Sequence, residues 1–118
     1  MKKWTLLIRK QDKNIFDRLK SGEKTIETRA LSPDTKKGYY GSIGIRDLII
    51  FRCCGEILEK RVKKVRKYSD FKEYLEEENL ENIFGKGTTK EKARKIHYSF
   101  PNYKERLEKY GIVAFDLE

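Results

Sequence analysis

Hydrophobic positions along this chain follow two spacings, and the spacings predict its elements. Trp4-Thr5-Leu6-Leu7-Ile8 is rich in strand formers and predicts a first strand. Ile15, Phe16 and Leu19 recur at helical spacing behind Asp12, which predicts a short helix that Gly22 stops. Residues 25–31 read as a second strand, with Ile26, Thr28 and Ala30 on one face and Thr25, Glu27 and Arg29 on the other. Residues 32–44 carry Pro33, Gly38, Gly41 and Gly44 around Tyr39 and Tyr40, which is loop chemistry. Residues 47–53 form a strongly apolar strand. In residues 57–68 the spacing of Val62 and Val65 fits a helix as well as a strand. The β-branched residues, and a hairpin signal at Cys54-Gly55-Glu56, favour a long strand.

The second half predicts helices. Ser69 or Asp70 can start one with Phe71, Tyr74 and Leu75 on its inner face, and Leu80, Ile83 and Phe84 make a further short turn. Residues 88–91 fit a capping box that opens a helix through Ile96. Asn102 and Glu105 can open another through Tyr110, which Gly111 ends before a closing strand over residues 112–117. Five or six strands with helices inserted between them predict an α+β fold. The expected form is a small mixed, partly closed β-barrel with helices packed on its side. At 118 residues, with no linker or internal repeat, residues 1–118 are expected to form one domain.

Charge adds a polarity that the hydrophobic pattern lacks. Residues 1–67 hold 19 Lys/Arg against 8 Asp/Glu, whereas residues 68–118 hold 9 against 11. A basic front and a near-neutral back suggest a face that meets a polyanion, usually nucleic acid. With 40% charged residues, a Lys/Glu-rich surface of the heat-adapted kind is the plainer alternative. No apolar run approaches the roughly 20 residues of a membrane span, and no signal-peptide pattern follows Met1. A soluble, cytoplasmic protein is expected. Cys53 and Cys54 are adjacent, a poor geometry for a structural disulfide, and are read as packing residues with one facing in and one out. No zinc-ligand spacing is present, and neither a metal nor a cofactor is expected. His97, the sole histidine, ends a basic run and reads as a surface or helix-terminal residue.

The densest chemistry lies in Gly22-Glu23-Lys24-Thr25-Ile26-Glu27-Thr28-Arg29. Alternation puts Thr25, Glu27 and Arg29 in one polar stripe, and Lys24 can curl back over it from the helix stop. Glu27 and Arg29 could form an ion pair that only steadies the strand. Buried in a cleft, such a pair would point to function. The basic residues 60–67, with Lys60, Lys63 and Lys64, and the nearby Tyr39, Tyr40 and Tyr68 offer charges for phosphates and rings for bases. Phe71, Tyr74, Phe84 and Phe100 read as core. Gly85-Lys86-Gly87-Thr88-Thr89 lacks phosphate-loop spacing and reads as a linker and cap.

The Gly22–Arg29 stretch resembles the G-x-K-x-x-E-x-R signature of the ASCH domain family, a branch of the PUA-like superfamily. Residues 45–51 resemble the family's next segment, with Arg46 where a glycine is usual. Tyr68-Ser69-Asp70-Phe71 and residues 110–115 are also similar to it. The resemblance implies a β-barrel with a cleft beside the signature, and RNA or nucleotide recognition. Lys24, Thr25, Glu27 and Arg29 would line that cleft, with Arg46, Lys60, Lys63 and Lys64 attracting phosphates and Tyr39 and Tyr40 offering stacking surfaces near the basic run. It also implies an alternative. Some relatives are amidohydrolases acting on acetylated cytidine and others cleave RNA, which would give catalytic roles to Lys24, Glu27 and Glu78. The amidohydrolase pattern has a threonine nucleophile where this chain has Glu27, and a carboxylate cannot form the same acyl-enzyme. Glu27 would instead act as a general base on water. An acidic protein partner is a third possibility that the basic face allows.

Overall fold

Residues 1–33 and 40–118 are described by the computed structural model. Five strands form one sheet: β1 (Lys3–Leu7), β2 (Ile26–Ala30), β3 (Leu48–Cys53), β4 (Glu56–Tyr68) and β5 (Ile112–Leu117). Their order across the sheet is β1-β3-β4-β5-β2. β1 runs parallel to β3, and all other pairings are antiparallel. The sheet is a half-barrel with helices packed alongside, the α+β architecture that the alternation predicts. The helices are α1 (Lys13–Ser21), α2 (Phe71–Glu77), α3 (Leu80–Phe84), α4 (Lys90–Ser99) and α5 (Tyr103–Tyr110).

The ambiguous basic stretch is one long strand. β4 pairs with β3 over its first half and with β5 over its second, and a register shift between Val62 and Lys64 marks where it changes partner. A bulge at that point adds twist, which curls the sheet. The hairpin before it turns on Cys54 and Gly55, both at positive φ, as a two-residue turn matched to strand twist requires. Cys53 is buried and Cys54 exposed, in line with the alternation.

Both faces of the sheet are covered. β5 alternates perfectly: Val113, Phe115 and Leu117 join Phe16, Leu19, Ile49 and Phe51 on the α1 side. Ile112 and Ala114 join Tyr74, Leu75, Ile83 and Leu107 under the other helices. β2 divides the same way, with Ile26 and Ala30 beneath the helices and Leu31, just beyond it, on the α1 side. Gly111 connects α5 to β5 at φ +86°, and a Cβ there would lie 2.0 Å from the Tyr68 carbonyl oxygen. That position admits only glycine.

Helix starts differ in detail from the sequence reading. Asp70 caps α2 by accepting the Lys72 amide, and Thr89 rather than Thr88 caps α4 by accepting that of Lys92. Asp12 and Asn102 make no side-chain cap bond. Asp12 is drawn instead into an ion pair with Arg9 at 2.7 Å. Arg46, where the family usually has glycine, holds φ +75°. The left-handed turn is kept without the residue that adopts it freely. It is pinned by the Arg46 amide donating to the Val62 carbonyl at 2.8 Å, and by the Asp47 carboxylate accepting from the Gly44 and Lys2 amides and the Trp4 indole.

Candidate nucleotide-binding cleft at the open seam

β1 and β2 are the two edges of the curled sheet. A cleft of about 270 Å³ lies where both edges contribute walls: Leu7, Ile8 and Arg9 from the end of β1, and Glu27, Thr28 and Arg29 from β2. α1 adds Ile15 and Arg18, and the helical layer adds Phe84, His97, Tyr103 and Arg106. The site is therefore the unclosed seam of the half-barrel.

The charged signature residues first solve a backbone problem. In β2 the odd-numbered residues bond to β5: Thr25 O accepts from Leu117, and the Leu31 amide donates to Gly111 O. The even-numbered residues face the unpaired edge, where a buried amide or carbonyl needs another partner. Side chains supply it. Lys24 Nζ donates to Ile26 O at 2.7 Å and also to Ile83 O at 2.9 Å, tying the edge to α3. Glu27 Oε1 accepts the Thr28 amide at 2.9 Å, and Arg106 Nη2 donates to Ala30 O at 3.1 Å. The signature thus replaces a missing neighbouring strand.

Lys24 and Glu27 are each only 5% exposed. Their charges sit 3.7 Å apart, and Arg29 Nη2 lies 3.4 Å from the other Glu27 oxygen. Burial lowers the Lys24 ammonium to about 8, against the pull of Glu27. Burial alone would raise the Glu27 carboxyl, but Lys24, Arg29 and the Thr28 amide outweigh it and hold it below its ordinary value. Arg29 stacks over Tyr40, 5.6 Å from the ring centre. Arg106 does the same over Tyr103, and Arg9 over Phe100. Five cationic side chains face two carboxylates, Asp12 and Glu27, across the cleft.

His97 is buried, at 1% exposure, rather than on the surface as its basic surroundings suggested. It shares the inward face of α4 with Ala93, one turn before it. Nε2 lies 2.9 Å from the Tyr74 hydroxyl, and Phe71, Phe84 and Tyr103 surround the ring. Burial, and then the Lys24 charge, push its pKa down to about 3.

Of the residues singled out from the sequence, Lys24, Glu27, Arg29 and Tyr40 converge in the cleft. Tyr39 lies outside the described residues. Thr25 is exposed and gives its amide to Asn82 O. Arg46, Lys60, Lys63 and Lys64 are not among the cleft residues. Arg46 lies in the turn before β3, and the three lysines lie on β4. Glu78 is also elsewhere. It accepts Arg66 Nε at 2.6 Å, Arg66 Nη2 at 2.9 Å and the Tyr68 hydroxyl at 2.5 Å. The structure does not bring it to Lys24 and Glu27, because a bidentate guanidinium and a phenol hold it at the start of the helical layer. Arg9, Arg18, Phe100, Tyr103 and Arg106 are cleft residues that sequence reasoning missed or assigned to the core.

The chain matches the ASCH domain family over residues 11–118. It belongs to that family. Two solved structures resemble this ASCH domain along almost their whole length. The crystal structure of hypothetical protein PH0355 is 35% identical, with a TM-score of 0.76, covering 98% of this chain and 97% of that one. The solution NMR structure of protein PF0455 from Pyrococcus furiosus is 29% identical, with a TM-score of 0.69 and coverage of 98% and 96%. No curated protein matches. Among the described residues of this ASCH domain, no helix is long and apolar enough to cross a membrane, and no cluster of His, Cys, Asp and Glu could hold a metal ion.

Proposed function

We propose that this ASCH domain binds RNA or a nucleotide, with one nucleotide unit seated in the seam cleft. The observation that carries the reading is the convergence of Arg9, Arg18, Arg29 and Arg106 with the rings of Tyr40, Phe84, Phe100 and Tyr103 around one concavity. Guanidinium groups suit phosphate, and the rings offer faces on which a base can stack. At about 270 Å³ the cleft lies just under the ~300–1,000 Å³ usual for small-molecule sites, a size for one nucleotide rather than a stretch of strand. ASCH domains are generally thought to bind RNA, which agrees. Lys24 and Glu27 act here as wall and edge cap, and Lys60, Lys63, Lys64 and Arg46 extend the positive field outside the cleft. Thr25 stands outside the binding set in this reading.

The hydrolase alternative asks Lys24 and Glu27 to act on a substrate or water. Two of the three Lys24 protons already meet backbone carbonyls and the group faces Glu27, so the arrangement favours binding over catalysis. Fluorescence anisotropy with short single-stranded and hairpin RNAs tests the reading. Binding should weaken as salt rises, each phosphate-bound arginine adding about 0.7 to the slope of log K against log salt for a single strand. The Arg9→Ala/Arg106→Ala pair should weaken binding by about ten-fold or more. Absent or salt-independent binding contradicts the proposal. Turnover of acetylated cytidine or labelled RNA that disappears in Glu27→Gln would restore the hydrolase.

A further inference from the structure

The seam cleft has a neighbour. A second concavity of about 450 Å³ lies against the β3–β4 hairpin, walled by Arg52, the Cys53-Cys54-Gly55 turn, Glu56 and Ile57, and bounded on its other side by Leu7, Ile8 and Arg9. Those last three residues also line the seam cleft. The two hollows therefore lie on either side of one ridge at the end of β1. The ridge is fastened to β3, since the Ile8 amide donates to the Arg52 carbonyl at 2.9 Å.

Strand register decides what the hairpin hollow offers. Leu7 is paired with Arg52, and Arg52 with Ile57, so the three side chains form one row on one face of the sheet. The row spans two inter-strand spacings, about 10 Å. Leu7 and Ile57 are 70% and 60% exposed, and neither belongs to the two cores. Arg52 between them is exposed as well. A flat guanidinium flanked by aliphatic side chains is a platform on which a nucleobase of any kind can stack.

Charge at the hollow favours an anionic strand. Among the described residues Glu56 is the one carboxylate that lines it, and Lys20 pairs with that carboxylate at 2.9 Å. On the ridge, Arg9 binds Asp12 through Nε, which leaves its two amino groups for phosphate.

Building on the nucleotide reading, we propose that the hairpin hollow is a second nucleotide subsite, and that the ligand is an RNA strand of at least two nucleotides rather than a free mononucleotide. One unit sits in the seam cleft. The phosphate joining it to the next crosses the ridge at Arg9, and the neighbouring base lies over Arg52 between Leu7 and Ile57. A strand that repeats phosphate and base at every step matches the order met here: a cleft with rings, an arginine on the ridge, then a second stacking platform.

The experiment measures, by calorimetry at fixed salt, the binding of 5′-phosphorylated uridine and adenosine mono-, di- and trinucleotides to wild type, Ile57→Ser and Arg52→Gln. The dinucleotide should bind about ten-fold or more tighter than the mononucleotide, and the third nucleotide should add less. Each variant should remove most of the dinucleotide's gain while mononucleotide affinity stays nearly the same. Ile57→Ser keeps every charge, so its loss cannot be assigned to the extra phosphate. A dinucleotide that binds no better than its mononucleotide, or a gain that survives either variant, overturns the inference and leaves the nucleotide reading standing. A poly-glutamate peptide whose binding falls in Ile57→Ser, while that of the dinucleotide does not, overturns it by giving the hollow to an acidic protein segment. Failure of every length to bind overturns both readings. The length series is read on wild-type protein, so it does not depend on either variant folding.

Discussion

Glu78 and Glu27 are both buried carboxylates facing arginine, yet they are held in opposite ways. At Glu78, Arg66 binds with two short bonds, the Tyr68 hydroxyl adds a third, and Arg66 reaches on to Asp116 at 2.6 Å. Every contact is at charge-assisted distance, and the cluster is complete in itself. At Glu27 the cations stand 3.4 and 3.7 Å away, and the short bonds go to backbone groups. A closed network fastens β4 and β5 to the start of the helical layer. A looser one, desolvated and surrounded by unmatched positive charge, leaves room for an anion to complete it. Proximity of opposite charges alone does not separate a site from a strut; the lengths of the contacts and the surplus charge do.

The largest test of that contrast removes the Glu27 carboxylate. Glu27→Ala leaves Lys24 buried, and Arg29 half-buried, without a counter-charge and should cost about 3–5 kcal/mol in chemical denaturation. Replacing the pair as Lys24→Met/Glu27→Leu also strips the Ile26 and Ile83 carbonyls and the Thr28 amide of their partners, and should cost at least as much as Glu27→Ala. A double variant much more stable than Glu27→Ala would break the edge-capping reading and leave charge balance alone. At the closed network, Glu78→Gln should cost about 2 kcal/mol and leave RNA affinity unchanged. Weakened binding there would move Glu78 into the functional set.

Acid provides the next test. His97 takes up a proton near pH 6.5 in the unfolded chain but only near 3 when folded. Unfolding therefore binds a proton between those values, and stability falls as pH drops through the window, by about 1.4 kcal/mol per pH unit. Glu27, whose folded carboxyl is depressed, adds a loss in the same direction only below about 4.5. Between pH 6.5 and 4.5 His97→Phe should lack the slope that wild type shows in urea titrations. The smallest effect belongs outside both networks. Arg46→Gly relieves a left-handed backbone and should stabilise by up to about 1 kcal/mol, while removing one charge of the outer field and so weakening RNA binding slightly.

The sheet was largely legible from alternation, because a strand buried on one or both faces writes its register into residue order. The cleft was half legible. Lys24, Glu27 and Arg29 stand in one motif, whereas Arg9, Arg18 and Arg106 come from three separate elements that only the tertiary fold unites. The edge-capping role of the motif could not be read, since it depends on which side of β2 lacks a neighbour. His97 was hidden because its companion on the inward face is Ala93, and neither residue gives a strong apolar signal in a helix that is otherwise mostly charged. The Ala93–His97 spacing was the one available clue. Glu78 was misplaced because a loose alignment cannot see the arginine that claims it.

The open seam has a mechanical consequence. β1 and β2 stand at opposite ends of the strand order and do not pair with each other. A ligand that touches Arg9 beyond β1 and Arg29 on β2 would act as a clasp between two ends that the backbone leaves unfastened. Occupancy should then be felt as stiffness, with amide exchange slowing together along both margins of the sheet and little changed along β4 in its middle.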